Sequence, residues 1–133
     1  MEMMMMMLVL VSAALMSPCA ANPVRSLNLD HIIDLADQYN KTMYEKFYVE
    51  DVTHLVKSGC RNKFFCRVHD ILKKHDRTED KKIVRNLDVF FKEGNVNCTE
   101  ELINVPHATT EKPIPFLLEN LANCIRRRNF MGI

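Results

Sequence analysis

Four cysteines, Cys60, Cys66, Cys98 and Cys124, constrain this chain more than any other feature. Their meaning depends on what precedes them. Met3 to Met16 is an almost uninterrupted apolar run, followed by Ser17-Pro18-Cys19-Ala20-Ala21-Asn22, a small-residue stretch of the kind signal peptidase cuts. About 14 apolar residues are too few for a membrane span and right for a secretory h-region. The segment before that run holds Glu2 and no Lys or Arg, so the terminal amine supplies its positive charge. Cleavage after Ala20 or Ala21 removes the fifth cysteine, Cys19. The expected organisation is a secretory signal peptide over 1–21 and one domain over 22–133. An even number of cysteines in an oxidising compartment reads as two disulfides in a small secreted, extracellular protein. Four cysteines allow three connectivities, and spacing alone does not choose among them. Asn40-Lys41-Thr42 and Asn97-Cys98-Thr99 are sequons, which makes Asn40 and Asn97 candidate glycosylation sites.

The mature chain, about 112 residues, has room for one modest core. Removing Glu2 leaves 16 acidic residues against 18 basic, so the net charge moves from +1 to about +2. Such a balance announces neither a nucleic-acid partner nor membrane insertion. With 3 glycines, no Trp and little strand-like alternation, the chain reads as helices joined by polar loops.

Four segments carry helical periodicity. The first runs from Leu27 to Tyr44, with Leu29, Ile32, Ile33, Ala36, Tyr39 and Met43 on one stripe. The second runs from Arg61 to His75, with Phe65, Val68, Ile71 and Leu72. In the third, Thr78 is the expected cap, Glu79 and Asp80 complement the dipole, and Gly94 stops the helix. Its stripe is Ile83, Val84, Leu87, Phe90 and Phe91. The fourth begins near Pro113 or Pro115 and carries Phe116, Leu117, Leu121, Cys124 and Ile125.

The connections are long (Glu45 to Cys60), very short (Asp76 to Thr78) and long again (Asn95 to Lys112). A three-residue link makes its helices antiparallel neighbours. A long one can run the length of a bundle and start the next helix in the same direction. The expected fold is therefore all-α: a short-chain four-helix bundle, up-up-down-down, with two long overhand loops. Phe47-Tyr48-Val49 and Leu102-Ile103-Asn104-Val105 are strand-like stretches in those loops, expected to pair as a two-stranded ribbon.

Particular residues now carry a family resemblance. KFFCRVHDILKKH around Cys66 resembles the second helix of interleukin-4. SLNLDHIIDLADQYNKT resembles the first helix of interleukin-4 and interleukin-13. Arg85-Asn86-Leu87 followed by Cys98 resembles the third helix and the cysteine after it, and FLLENLANCIRRR resembles the basic fourth helix. Together these span about residues 27 to 129. The resemblance implies a Cys66–Cys98 disulfide, which leaves Cys60 for Cys124. The first closes a loop of about 33 residues, worth roughly 3–4 kcal/mol in the chain-entropy model. The family pattern places other cysteines at the N-terminus and between helices two and three, and this chain has none there.

The resemblance also implies partners: class I cytokine receptor ectodomains, an interleukin-4 receptor alpha-like chain and a second chain, bound by a monomer. In the family an acid on helix one and a base on helix three grip the alpha chain. The third-helix match is Arg85, with Lys81 and Lys82 a turn earlier. The first-helix match falls on His31, so Asp30 or Asp34 is left to supply the charge. Arg126, Arg127 and Arg128 are second-chain candidates by position; a glycosaminoglycan patch is another reading, and complement to the helix dipole alone is the default one.

The bland readings stand beside these. Arg85 on an amphipathic helix is by default a solvated charge. His31, His54, His69, His75 and His107 read as isolated surface histidines; His69 and His75 lack the i, i+4 spacing of a helical metal pair. No phosphate loop, nucleophile elbow or CxxC occurs, so neither a cofactor, a metal nor an enzymatic activity is expected. The alternatives are another short-chain cytokine, of the interleukin-5 or granulocyte-macrophage colony-stimulating type, or a secreted helical lipid-binding protein. The second would require a continuous open apolar cavity.

Overall fold

The computed structural model describes residues 27–42, 47–75 and 77–131. The leader at 1–21 with its Cys19, and Met43 and Tyr44 of the expected first helix, lie outside the described residues. Helix α1 spans Leu27–Thr42. Its residues Leu29, Ile32, Ala36 and Tyr39 recur at three- and four-residue intervals and are all buried. Strand β1, Tyr48–Glu50, follows. A short helix α2, Thr53–Lys57, begins where the Asp51 carboxylate accepts from the Thr53 amide and hydroxyl. Its Leu55 side chain drops into the core.

Helix α3 spans Asn62–His75 and buries Phe64, Phe65, Cys66, Val68, Ile71 and Leu72. Helix α4, Thr78–Glu93, buries Ile83, Leu87, Phe90 and Phe91 and ends at Gly94. Arg77, not Thr78, holds the α4 cap position. Its backbone N–H donates to Asp80 Oδ2 at 3.0 Å, which is the reciprocal half of a capping box. Guanidinium has no acceptor, so the other half has no side chain to make it. A one-turn helix α5, Cys98–Glu101, is capped by Asn97, whose Oδ1 accepts from the Glu100 amide at 3.3 Å. Strand β2, Glu111–Pro113, leads directly into helix α6, Ile114–Met131.

The two long connections do pair, as an antiparallel ribbon with Tyr48 opposite Pro113 and Glu50 opposite Glu111. The second strand is not the expected 102–105 stretch. Residues 102–104 form a turn closing α5, and the Val105 carbonyl is taken by Arg67 Nη2 at 2.9 Å. Leu102 and Val105 pack on the core from this loop, while Ile103 faces solvent. Apolar content alone marked 102–105 as a strand; its backbone groups have other partners, whereas 111–113 lies where β1 needs them. The Ile114 amide donates to the Phe47 carbonyl and the Asp51 amide to the Thr110 carbonyl, extending the ladder at both ends.

The protein is thus mostly helical with one small sheet. Helix α1 packs against α4 and α6, and α3 packs against α4. Phe64, Phe65, Ile83, Leu117, Leu118, Leu121 and Ile125 fill the interior between them. Disulfides join Cys60 to Cys124 and Cys66 to Cys98, each with 5.3 Å between Cα atoms. Cys66–Cys98 is the pair that the resemblance implies, and Cys60–Cys124 the pair that it leaves. The first ties the lead-in of α3 to α6, and the second ties α3 to the start of α5.

A tight reversal before α3 delivers Cys60 to its partner. Gly59 has φ +114° and Cys60 has φ 55°, both in the left-handed region. Space is no obstacle at Gly59, where an added Cβ would meet Arg61 Nε at 3.6 Å. The cost of a side chain there is conformational. Gly59→Ala is therefore expected to destabilise the fold by about 1–3 kcal/mol without altering the disulfide map. Urea denaturation, with non-reduced peptide mapping, measures both.

Candidate functional site

Five of the expected receptor residues, His31, Asp34, Lys81, Lys82 and Arg85, are exposed on α1 and α4. Ile32, Ala36 and Tyr39 of α1 and Ile83 and Leu87 of α4 are buried, which leaves the outer faces of the two helices side by side. A shallow cleft of about 160 Å³ runs between them, lined by Leu35, Gln38, Glu79 and Lys82. His31 and Asp34 are exposed on α1, and Lys81, Lys82 and Arg85 are exposed on α4. His31 stands one turn from Leu35 and Asp34 one turn from Gln38, both cleft-lining residues. Lys82 and Arg85 share a face in the same way. Asp34, His31, Lys82 and Arg85 are thus exposed on two helices that pack against each other.

Asp30 lies elsewhere. It is half-buried, and its Oδ1 accepts from Asn129 Nδ2 of α6 at 2.7 Å. Its role is to hold α1 to the end of α6. The three arginines of α6 do not act as one group either, because successive helical residues are about 100° apart. Arg126 and Arg127 are exposed, and Arg126 Nη1 donates to Asn123 Oδ1 at 3.3 Å. Arg128 is half-buried, with its guanidinium 5.0 Å from the Phe90 ring centroid. Burial lowers its pKa from the ordinary arginine value. Asn40 is exposed on α1, and Asn97 is exposed while its side chain caps α5.

Beneath the α1–α4 surface lies a polar cluster that positions it. Asp80 is completely buried. His75 Nδ1 is 2.6 Å from Asp80 Oδ2, which also takes the Arg77 amide. The Tyr39 hydroxyl of α1 interacts with the same carboxylate. Phe47 joins the group: its ring and that of His75 form a T-shaped pair with centroids 5.0 Å apart, and the Arg77 guanidinium lies over the Phe47 ring, 4.3 Å from its centroid. One carboxylate thereby gathers the end of α3, the start of α4 and the side of α1. Burial, and then the Asp80 charge, push the Tyr39 phenol pKa far above its usual value.

A second cluster is built around Arg67, 3% exposed in the middle of α3. Its Nη2 donates to the Val105 carbonyl, its Nε lies 3.7 Å from Glu50 Oε2, and its Nη1 lies 3.0 Å from His107 Nδ1. Glu50 in turn contacts His107 Nδ1 at 2.7 Å and accepts the Ala108 amide at 3.2 Å. On the α3–α4 side, His69 Nε2 is 2.6 Å from Asp88 Oδ1. Three of the histidines read as isolated surface groups, His69, His75 and His107, are thus each paired with a carboxylate. Asp80, read only as dipole complement, is a buried structural group.

Both missed residues had a signal. Asp80 precedes Ile83, Val84 and Leu87 at three-, four- and seven-residue spacing, and Arg67 stands three from Phe64 and four from Ile71. A charge on an apolar stripe marks a buried pair when partners exist elsewhere. For Arg67 those partners, Glu50, Val105 and His107, come from distant segments; for Asp80, His75 and Arg77 are close in the chain and only Tyr39 is distant, so burial by the packing of α1 is what the sequence did not show.

Comparison with family models, with curated proteins and with solved structures yields no match.

The Tyr39 environment sets an alkaline limit on stability. The unfolded chain releases this phenol proton near pH 10, whereas the folded chain retains it to higher pH. Above about pH 10 the unfolded state binds fewer protons, so the contribution falls as pH rises. Denaturation midpoints measured from about pH 8 to 11 should decline more steeply for the natural chain than for Tyr39→Phe. Equal slopes would mean that Tyr39 titrates alike in both states.

Proposed function

We propose that this chain is a secreted cytokine of the interleukin-4/interleukin-13 type, acting by assembling class I receptor chains at the cell surface. It makes and breaks no bond; its work is to present two faces at fixed geometry. One face comprises the outer sides of α1 and α4 and meets an interleukin-4 receptor alpha-like chain. The other includes α6 and recruits a second chain.

The observation that carries this reading is the set of cross-helix pairs. Tyr39 of α1 meets Asp80 of α4, and Leu35 and Gln38 share a cleft with Glu79 and Lys82. His75 and His69 of α3 meet Asp80 and Asp88 of α4, so rising numbers on one helix match falling numbers on the other near their junction. Arg128 of α6 lies on Phe90 of α4, near the ends of both, and Asn129 of α6 meets Asp30 near the start of α1. These pairs support α1 and α3 running one way and α4 and α6 the other, the up-up-down-down order of cytokine bundles. The β1–β2 ribbon between the long connections agrees with two overhand loops lying side by side.

Two further points support the reading. The cysteine pairing agrees with the family pattern at Cys66–Cys98. Among the described residues no helix is long and apolar enough to cross a membrane. The described clefts are rimmed by charged side chains, which gives the lipid-binding alternative no support.

Asp34 and Arg85 are the charges proposed to contact the alpha chain, with Lys81, Lys82 and His31 around them. Arg85 is exposed and outside the core, so Arg85→Glu is expected to leave the helical circular dichroism spectrum unchanged. Breaking a desolvated charge pair at an interface costs about 2–5 kcal/mol, roughly 30- to several-thousand-fold in affinity. Surface plasmon resonance against the alpha-type receptor ectodomain reads this directly. A folded Arg85→Glu protein that binds within about twofold of the natural chain would return Arg85 to the status of a solvated surface charge.

A further inference from the structure

The chain has 3 tyrosines, and the ribbon presents one of them to solvent. Tyr48 of β1 is 59% exposed, whereas Tyr39 is buried and Tyr44 lies outside the described residues. The Phe47 carbonyl takes the Ile114 amide and the Thr110 carbonyl takes the Asp51 amide. The hydrogen-bonded pairs of this antiparallel ladder therefore fall at Phe47, Val49 and Asp51. Tyr48 opposite Pro113 and Glu50 opposite Glu111 are the pairs between them, which is where a proline without an amide hydrogen is tolerated. The backbone N–H and C=O groups of Tyr48 and Glu50 accordingly point away from β2, along an edge that no third described strand covers. Strand alternation sends Val49 into the core and puts Tyr48, Glu50 and Glu111 on the other face. Glu111 is the diagonal neighbour of Tyr48, about 7–8 Å away in such a ladder. It enters no salt bridge among the described residues. Around Tyr48, in sequence and across the ribbon, Glu45, Glu50, Asp51 and Glu111 outnumber Lys46 and Lys112.

We infer that Tyr48 is a tyrosine O-sulfation site, modified on the folded ribbon as the chain passes through the secretory pathway. The inference rests on secretion, as proposed above, and concerns β1 and not the α1 and α4 residues proposed to meet the receptor. The phenol Oη attacks the sulfur of an activated phosphosulfate donor. An O–S bond forms, the donor's bridging S–O bond breaks, the nucleoside phosphate leaves as an anion, and the phenolic proton passes to a base of the sulfotransferase. No atom is oxidised or reduced. An enzyme that holds so anionic a donor has a cationic active site, and acids around the acceptor tyrosine complement it. An extended strand with unpaired backbone groups is also the form in which a segment can be read by strand addition. Neither a cysteine nor a sequon lies between Met43 and Thr53, so no disulfide or glycan anchors the neighbouring chain. The sulfate ester leaves a fixed negative charge on the open edge, and charge on an edge strand opposes its pairing with other chains.

The test uses cells that express the full chain and are fed radiolabelled inorganic sulfate, with parallel cultures fed radiolabelled phosphate. Protein from the medium is freed of N-glycans, digested with trypsin and mapped. Cleavage after Lys46 and Lys57 gives a peptide, Phe47 to Lys57, in which Tyr48 is the only tyrosine. That peptide should carry the sulfate label and a mass gain of one SO3 group. Tyr48→Phe should lose the label from it, and Tyr44→Phe should keep it. Glu111→Lys reverses an exposed charge that is remote in the chain and adjacent on the ribbon, and it should lose most of the label. Circular dichroism of the three variants should match that of the natural chain.

A secreted chain whose Phe47–Lys57 peptide carries no sulfate would overturn the site and leave secretion standing. A chain retained inside the cells would overturn both. Phosphate label in place of sulfate, or sulfate label that survives Tyr48→Phe, would also sink the assignment. Full labelling of a folded Glu111→Lys protein would overturn the folded ribbon as the form that is modified.

Discussion

A carboxylate without access to water organises this protein. Asp80 sits at the first turn of α4 with its charge fully buried, where leaving it unpaired would be strongly destabilising. Its requirement for donors ties the end of α3, the cap of its own helix and the side of α1 to one point. The short connection from α3 must place the Arg77 amide and the His75 ring at the carboxylate, and α1 must bring the Tyr39 hydroxyl. Removing the carboxylate would release all three at once, while an exposed acid at the same helix start would contribute only dipole complement. The separation of α1 and α4, and with it the shape of their outer surface, follows from this buried group.

The other end of the protein is held differently. There the chain makes a left-handed turn at Gly59 and Cys60 and is locked to α6 by a disulfide. The long loops are fastened between these ends by Arg67, which reaches from the middle of α3 to Glu50 beside the first loop and to Val105 and His107 in the second. A guanidinium suits this position because its planar fork serves several acceptors at once, which a lysine ammonium cannot match in geometry. Glu50 also takes part in the ribbon, so the same contacts that neutralise Arg67 help set the register of β1 against β2. The surfaces proposed to bind partners are therefore supported from within by polar groups and not by apolar packing alone.

Much of the fold was legible in the sequence, and the reason differs by element. Helix α4 was readable from Ile83, Val84, Leu87, Phe90 and Phe91 because periodic burial is a local property of a helix. The ends were less so: Arg77 and not Thr78 is the cap, and its amide is taken by the Asp80 carboxylate three residues on, the reciprocal half of a capping box. The second strand was misplaced from Leu102–Val105 to Glu111–Pro113, since three-residue strands are defined by partners and carry almost no pattern of their own. On the candidate face, Arg85, Lys82, His31 and Asp34 were visible as exposed helical charges. Asp30 looked equivalent to Asp34 until Asn129, ninety-nine residues away, was found to occupy it.

Taken alone, the sequence determined the four long helices, their short and long connections and the residue types of the core. These depend on spacing of 3.6 residues per turn, on caps and breakers, and on chain length, all of which act within a few residues. Tertiary structure decided which charges are surface and which are structural. Asp80 and Arg67 resemble their exposed neighbours until donors and acceptors from α1, the ribbon and the second long loop close around them. It also decided that Arg61, Lys63 and Arg128 share one cleft, because only the Cys60–Cys124 bond brings their segments together. Electrostatic environment is a property of what lies within a few ångströms in space, and for Arg67 and for the cleft residues those neighbours are remote in the chain.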